Sequence, residues 1–418
     1  MDHNNSINMQ GRKIIDVCIL FLLFCISPFL AALLSLYLIY RKRYVKLGVY
    51  IIIIFWGLVG YTFLPADNMD ITRHNLNFEN LQNISSLQEF IIYQSLSEKP
   101  DFILDLVFWG IGKFIKSHQV VGFIGAFCYY GLGLGMLLHW REQLHTKSSF
   151  NNFILLILMF LALAQVTEFS GMRQGNAILL FLFIITIPDE QLSIKKKCIS
   201  LLLPCLLHFS MYPLMIFYIS ACLMNRRYVF LISICMLIGS VYFMPFMTIF
   251  MNLMKGMGSI GTGIANKIDT YIFGEELSVA LYSGSGVRFY VIILMMIIFP
   301  IVAYKLDRFR LNMPSFILRL HYWGVMFFTY TLFTSSSYIL SRNIMMFKMF
   351  AILYFTYALF SCKLGKYMQR LLACLCIVVV LSGPISMWRA EEYNVINPSV
   401  FYSDIVTILN IKTRAEGY

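Results

Sequence analysis

Charge is what this chain has least of. Only 13% of its 418 residues are Asp, Glu, Lys or Arg, against about a quarter in soluble domains. By contrast 59% are hydrophobic, and mean hydropathy is +0.73. The longest polar stretch, Pro65–Asp101, is too short to fold as a soluble domain of its own. Cysteine occurs ten times but in none of the three longer polar segments, Pro65–Asp101, Lys255–Gly286 and Arg389–Tyr418. A disulfide framework and a zinc spacing are both excluded. Cys374 and Cys376 fall on different helix faces and read as packing. Walker and Rossmann glycine patterns are lacking, and Gly131-Leu-Gly-Leu-Gly135 reads as a small-residue packing stripe within a span. No repeat, low-complexity tract or linker divides the chain, so residues 1–418 are expected to form one transmembrane domain. The run Ile14–Tyr40 is too long for a cleavable signal, and no small-residue cleavage site follows it.

What is present is a succession of apolar runs of spanning length with short polar breaks, the mark of an all-α polytopic membrane protein. The net charge of +12 could suggest nucleic acid, but its placement excludes that partner. Basic residues gather at 41–46, 141–147, 195–197, 226–227, 305–310 and 363–370, the positive-inside pattern. Arg41–Lys46 outweighs Arg12-Lys13, which predicts an outer N-terminus. From there Ile14–Tyr40, softened by Pro28, runs in, and Leu47–Leu64 runs out to an outer region of about residues 65–118. Within that region Phe102–Ile115, apolar on one side but carrying Asp105 and Lys113, reads as an interfacial helix.

Val120–Trp140 then runs in, Phe153–Phe169 out, and Arg173–Ile187 in. Cys198–Met224 lies between two basic clusters yet is too short for two spans of ~20 residues each. Two half-depth helices meeting at Leu207-His208-Phe209-Ser210 satisfy both constraints; a long tilted helix with a core histidine is the alternative. Irregular backbone at that depth must be buried in protein or line a cavity. Tyr228–Met254 exits to a glycine-rich outer loop, about 255–286. Val287–Tyr304 returns, Phe316–Thr334 exits, Tyr338–Phe360 returns, and Leu371–Met387 exits to an outer tail, 389–418. The expected architecture is about twelve helical segments, the half-helix pair included.

Against this background the polar residues near the outer ends stand out. Asp67, Asp70, Arg73 and His74 follow the second span; Arg173-Gln174 interrupts two apolar runs; Arg288 and Arg342 open inward-running helices; His208 lies deeper. An unpaired guanidinium at the centre of a spanning helix costs at least ~2.5 kcal/mol. Arg173 is therefore either snorkelling to the headgroups or aimed into an internal polar cavity. Several arginines converging on one face make a cationic vault suited to phosphate oxygens, and a vault open at the membrane fits a lipid diphosphate. Sugar transfer from such a lipid needs fixed positive charge for the departing diphosphate and a base or positioning group for the acceptor hydroxyl. Arg73, Arg173 and Arg342 are the cations; Asp70, His74 and His208 are the candidate bases. No paired carboxylates are spaced for hydrolysis, and Ser335-Ser-Ser337 lacks a nucleophile-elbow setting.

The pieces Asp70-Ile-Thr-Arg73-His74, Gly171-Met-Arg173-Gln174-Gly-Asn-Ala177, His208-Phe-Ser210 and Arg342 come in an order that resembles the Wzy/EpsG family of bacterial polysaccharide polymerases. The resemblance covers most of the chain, from the second span to the tail. It implies a fold similar to metal-independent GT-C glycosyltransferases, with no cofactor. It also implies an enzyme of the bacterial inner membrane, its site facing the periplasm, that joins undecaprenyl-diphosphate-linked repeats in O-antigen, lipopolysaccharide or related polysaccharide biosynthesis. Donor and acceptor are then both lipid-linked oligosaccharides, and a chain-length regulator is a further partner the family leaves room for. By resemblance Arg173 and Arg342, with Arg73, Gln174 and Arg288 beside them, would hold the diphosphate; Asp70, Arg73, His74 and His208 would line the sugar site. Asn75 stands where an aromatic residue is often found in the family.

Three other readings share some of these features. A GT-C enzyme using a polyprenyl monophosphate usually places its acidic pair after the first span, whereas Asp67 and Asp70 follow the second. An O-antigen ligase favours a very large late outer loop, and Lys255–Gly286 is modest. A lipid-linked oligosaccharide flippase needs a cationic cavity reachable from both faces and shows repeat symmetry; here the arginines cluster at one face and no repeat is visible.

Overall fold

In a computed structural model of the chain, residues 15–64, 70–97, 102–144, 172–273, 287–334, 339–362, 364–392 and 395–413 are described. Regular structure among them is helical, apart from an isolated antiparallel bridge between Phe63 and Ile396. Asp67, the expected span Phe153–Phe169 and Ser335–Ser337 lie outside the described residues.

The first apolar run is two helices, α1 (Ile15–Ile26) and α2 (Pro28–Tyr40). Ser27 between them is extended, φ −153°, and its hydroxyl accepts from the Leu30 amide at 3.4 Å. A proline at the first helical position disfavours helical geometry in the residue before it, so the expected soft bend becomes a reversal. The Tyr44 hydroxyl donates to the Asp16 carboxylate at 3.0 Å, and Leu20 joins Ala31 and Ile51 in one apolar cluster. The start of α1 therefore lies at the Arg41–Lys46 end of the molecule, hereafter the basic end. This overturns the expectation of a single first span with the N-terminal side at the opposite, far end.

Helix α3 (Val45–Tyr61) runs to the far end, where α4 (Asp70–Gln82), α5 (Leu87–Ser97) and α6 (Ile103–Gly112) form a small layer, and α7 (Gln119–Glu142) returns. Gly60 and Gly122 let α3 and α7 touch backbone to backbone; a Cβ on either would overlap the other's carbonyl oxygen. Close approach through small residues is the usual way helices gain packing energy in lipid. The expected stripe at Gly131–Gly135 contributes less: a Cβ on Gly131 would make ordinary contact with Ile53, and one on Gly135 would meet open space. We expect Gly122→Leu to destabilise the protein by at least about 1–3 kcal/mol through overpacking and Gly135→Leu to have little effect, checked by thermal melts of the two variants in detergent.

Helix α8 (Met172–Thr186) follows, then α9 (Ile194–Ser200), α10 (Leu202–Leu207) and α11 (Met211–Leu223). The last three make the expected hairpin, reversing at Leu207–Ser210. His208 ends α10 in extended geometry, φ −152° and ψ 121°, and the Cys205 thiol lies 3.8 Å from the Met215 sulfur across the turn. Helix α12 (Arg226–Gly239) leads without a sharp break into α13 (Phe243–Lys255). Phe243 meets Phe333, the last residue of α16, with ring centroids 4.8 Å apart. The span expected over Tyr228–Met254 thus reaches the far end near Tyr242. Beyond it α13 packs against α14 (Gly258–Ile268), so the expected loop 255–286 begins as a helical hairpin.

Helices α15 (Val287–Asp307), α16 (Ser315–Phe333), α17 (Ile339–Ser361) and α18 (Lys366–Glu392) complete the bundle. Gly324 seats the Phe350 ring, and Phe299, Trp323, Phe327 and Tyr354 pack around it. The tail returns over the far end as a strap with a short helix, α19 (Ile405–Leu409). The Leu64 amide donates to the Val395 carbonyl at 2.8 Å, Phe29 meets Phe401 edge to face, and the Gln119 amide donates to the Ile411 carbonyl at 2.8 Å.

Candidate functional site

Helix α7 sets the depth of the site. The Asn176 side chain of α8 donates to the Gly125 carbonyl of α7 at 3.3 Å and to the Met172 carbonyl at 2.8 Å. Both helices run from the far end to the basic end. Arg173, three residues ahead of Asn176, therefore lies about 4.5 Å nearer the far end, level with Gly122. Ile71 of α4 packs against that same glycine. Two segments separated by a hundred residues of sequence thus lie at a similar depth beside α7: the Asp70–His74 turn and the Arg173-Gln174 turn. Arg173 and Gln174 are half-buried.

The layer around α4 is held by a carboxylate within the expected interfacial helix. Asp105, 3% exposed, accepts from the Asn77 amide at 2.8 Å and the Gln94 amide at 3.0 Å, and the Tyr93 hydroxyl donates to Asn77 at 3.0 Å. One side chain of α6 thereby fixes both α4 and α5. At the start of α5, Ser86 caps the helix by accepting from the Glu89 amide at 3.2 Å, while Glu89 reaches back to the Ser85 amide at 2.8 Å, a reciprocal capping arrangement. The Ser85 backbone N–H, with the Ser85 hydroxyl, holds the Glu89 carboxyl below its ordinary range.

The expected site residues divide by what they touch. The Arg73 guanidinium is exposed and paired with Asp70 one turn earlier, so that carboxylate already serves a cation. His74 is 6% exposed, its ring edge-on to Phe108 of α6 at 6.2 Å. His208 is 4% exposed at the hairpin turn, stacked on Phe209; α10 packs on α8 and touches α6. The Ser210 amide donates to His208 Nδ1 at 3.3 Å, and the Ser210 hydroxyl lies 2.7 Å from the same nitrogen. An Nδ1 that accepts a backbone N–H cannot itself carry the proton in neutral imidazole, so the hydrogen sits on Nε2. Arg288 and Arg342 fall in the first turns of α15 and α17; their side chains lie outside the described residues.

Two features escaped the sequence. Asn75 is 4% exposed and its Oδ1 has no hydrogen-bond partner among the described residues, an acceptor atom beside His74 with its capacity unused. Asp105 and Asn77 are 28 positions apart and announce their contact only through a lone carboxylate in an apolar helix.

The family model described as the EpsG family matches residues 47–398. The chain belongs to the EpsG family. It is a family of EpsG/Wzy-type polysaccharide polymerases, glycosyltransferase-like membrane proteins, which agrees with the resemblance seen in the sequence. No curated protein and no solved structure matches the chain. The EpsG match runs from Leu47, at the start of α3, to Pro398 in the strap. It therefore takes in both turns at the far end of α7 and the hairpin carrying His208.

Proposed function

We propose that this EpsG-family protein polymerises undecaprenyl-diphosphate-linked oligosaccharide repeat units at the outer face of the bacterial inner membrane. The growing chain would pass from its lipid carrier to the non-reducing end of an incoming unit. The observation that supports the reading is a shared depth at the far end of α7: the Asn176–Gly125 hydrogen bond and the approach of Ile71 to Gly122 put the Arg173 and Asp70–His74 turns at a similar level.

In the transfer, the bond from the anomeric carbon to the phosphate oxygen breaks and the acceptor hydroxyl oxygen takes its place on that carbon. The diphosphate leaves with the electron pair, and fixed guanidinium charge, with Arg173 foremost, spreads it. Gln174, Arg73, Arg288 and Arg342 supply the remaining donors. The hydroxyl proton must go to a base. Asp70 is engaged by Arg73 and serves best to hold that guanidinium, which leaves His74 as the candidate acceptor of the proton. His208, with hydrogen on Nε2, is better read as a donor that orients a sugar hydroxyl than as the base. Asn75 Oδ1 offers a matching acceptor.

The test is incubation of purified protein with undecaprenyl-diphosphate repeat units, without added metal or nucleotide, resolved on a gel. A ladder of lengthening products is expected. Absence of a ladder together with movement of the lipid between leaflets of vesicles would replace the polymerase by a flippase.

A further inference from the structure

The basic end holds a second cationic site that the transfer reaction does not use. A cavity of about 710 Å³ is lined by Asn225, Arg226, Arg227 and Tyr228 at the start of α12, by Leu231 one turn on, by Arg310 of the α15–α16 connection and by Tyr322 of the adjoining α16. That size is typical of small-molecule sites, ~300–1,000 Å³.

Its charge is built rather than incidental. Arg226 Nε donates to Asp307 at 3.0 Å and its Nη2 makes a second bond to the same carboxylate. The guanidinium also lies over the Phe230 ring at 5.3 Å. Both contacts fix the group while leaving Nη1 off the carboxylate. Arg310 Nη1 sits 3.5 Å from Asp307 and donates to its backbone carbonyl at 3.3 Å. His321 Nε2 lies 3.9 Å from the same carboxylate, on the buried side. Three arginines against one carboxylate leave a net charge of two positives in a single concavity. The first turn of α12 adds the positive end of its dipole; Asn225 precedes it and makes no side-chain cap.

The geometry points to a binding site for a phosphate-bearing anion at this end, occupied by the headgroup of an anionic phospholipid. Guanidinium groups in a cluster match phosphate oxygens. The wall beside them favours a lipid over free phosphate. Tyr228 and Leu231 are exposed, and α12 opens the long apolar run Arg226–Lys255, whose apolar 18-residue window is only 17% buried; a helix so exposed and apolar faces acyl chains. Basic pockets between helices on the positive side are where such headgroups dock. The site is far from the Arg173 region and does not depend on the polymerase reading.

The experiment uses the full-length protein in detergent, with native mass spectrometry to count retained phosphatidylglycerol against phosphatidylcholine, and with inorganic phosphate as a separate probe. One phosphatidylglycerol per chain should survive delipidation. The Arg227→Gln/Arg310→Gln variant should weaken that retention about fivefold for each arginine lost. An Arg41→Gln/Lys42→Gln/Arg43→Gln control should keep the bound lipid, and melting temperatures of both variants report folding. Equal loss in the variant and the control would overturn the site in favour of diffuse surface attraction. Retention of phosphatidylglycerol no better than of phosphatidylcholine, with inorganic phosphate alone raising the melting temperature, would overturn the lipid and leave a soluble phosphate anion.

Discussion

Asp189→Ala is expected to cost the protein about 3–5 kcal/mol, enough to abolish a monodisperse preparation. The carboxylate sits in the turn between α8 and α9. One oxygen accepts from Lys197 Nζ at 3.0 Å, and the other accepts from the Ser315 hydroxyl at 3.0 Å and pairs with Arg319. The Lys197 side chain is 0% exposed and that of Arg319 13% exposed. Removing their shared partner leaves two cations with almost no access to water, and an uncompensated buried charge is far more damaging than the loss of an exposed pair, worth about 0–1 kcal/mol. The measurement is thermal stability by size-exclusion chromatography after stepwise heating. Adding Lys197→Met to Asp189→Ala should recover part of the loss, because one stranded charge is gone. A wild-type melting profile for Asp189→Ala would sink this account of the basic end.

Arg173→Ala should behave in the opposite way: normal insertion and stability, with polymerisation slowed by about 10²–10³-fold, the usual effect of removing one donor to a developing negative charge. Arg173 is half-buried and sits in the first turn of α8, ahead of the packed positions Gly175, Asn176 and Ala177, so truncation leaves the helix interface intact. Arg173→Lys keeps the charge but not the planar pair of donors, and should recover only part of the rate. Arg342→Ala is expected to match Arg173→Ala. His208→Ala should lower the rate less, since a positioning donor stabilises less charge than a diphosphate clamp. Product ladders at equal expression check all four; wild-type ladders in both alanine variants of arginine would remove those residues from the site.

The hairpin at His208 shows how much a sequence can carry. Two basic clusters flanked a run too short to cross twice, and the bilayer's refusal to accept unpaired backbone left little but a reversal at Leu207–Ser210. The same reasoning missed the reversal at Ser27-Pro28. Ile14–Tyr40 is long enough to cross as one helix, so length raised no conflict; a single N-cap hydroxyl before a proline made the difference. The span over Tyr228–Met254 was misjudged for a related reason. Apolarity continued into α13, and only the meeting of Phe243 with Phe333 marks where the bundle ends.

What the sequence determined by itself is the class of protein, the end at which positive charge collects, and the residue types fit for a diphosphate. Those follow from composition and from the cost of placing charge and bare backbone in lipid, which act on each segment separately. Tertiary structure alone decided which segments meet. It set Arg173 level with Ile71 through Gly122 and Gly125, gave His208 its tautomer through Ser210, tied α4 to α5 through Asp105, and gathered Arg226, Arg227 and Arg310 around one cavity. Contacts between residues so far apart depend on helix rotation and depth, and a change of one residue in register moves a side chain ~100° around its helix.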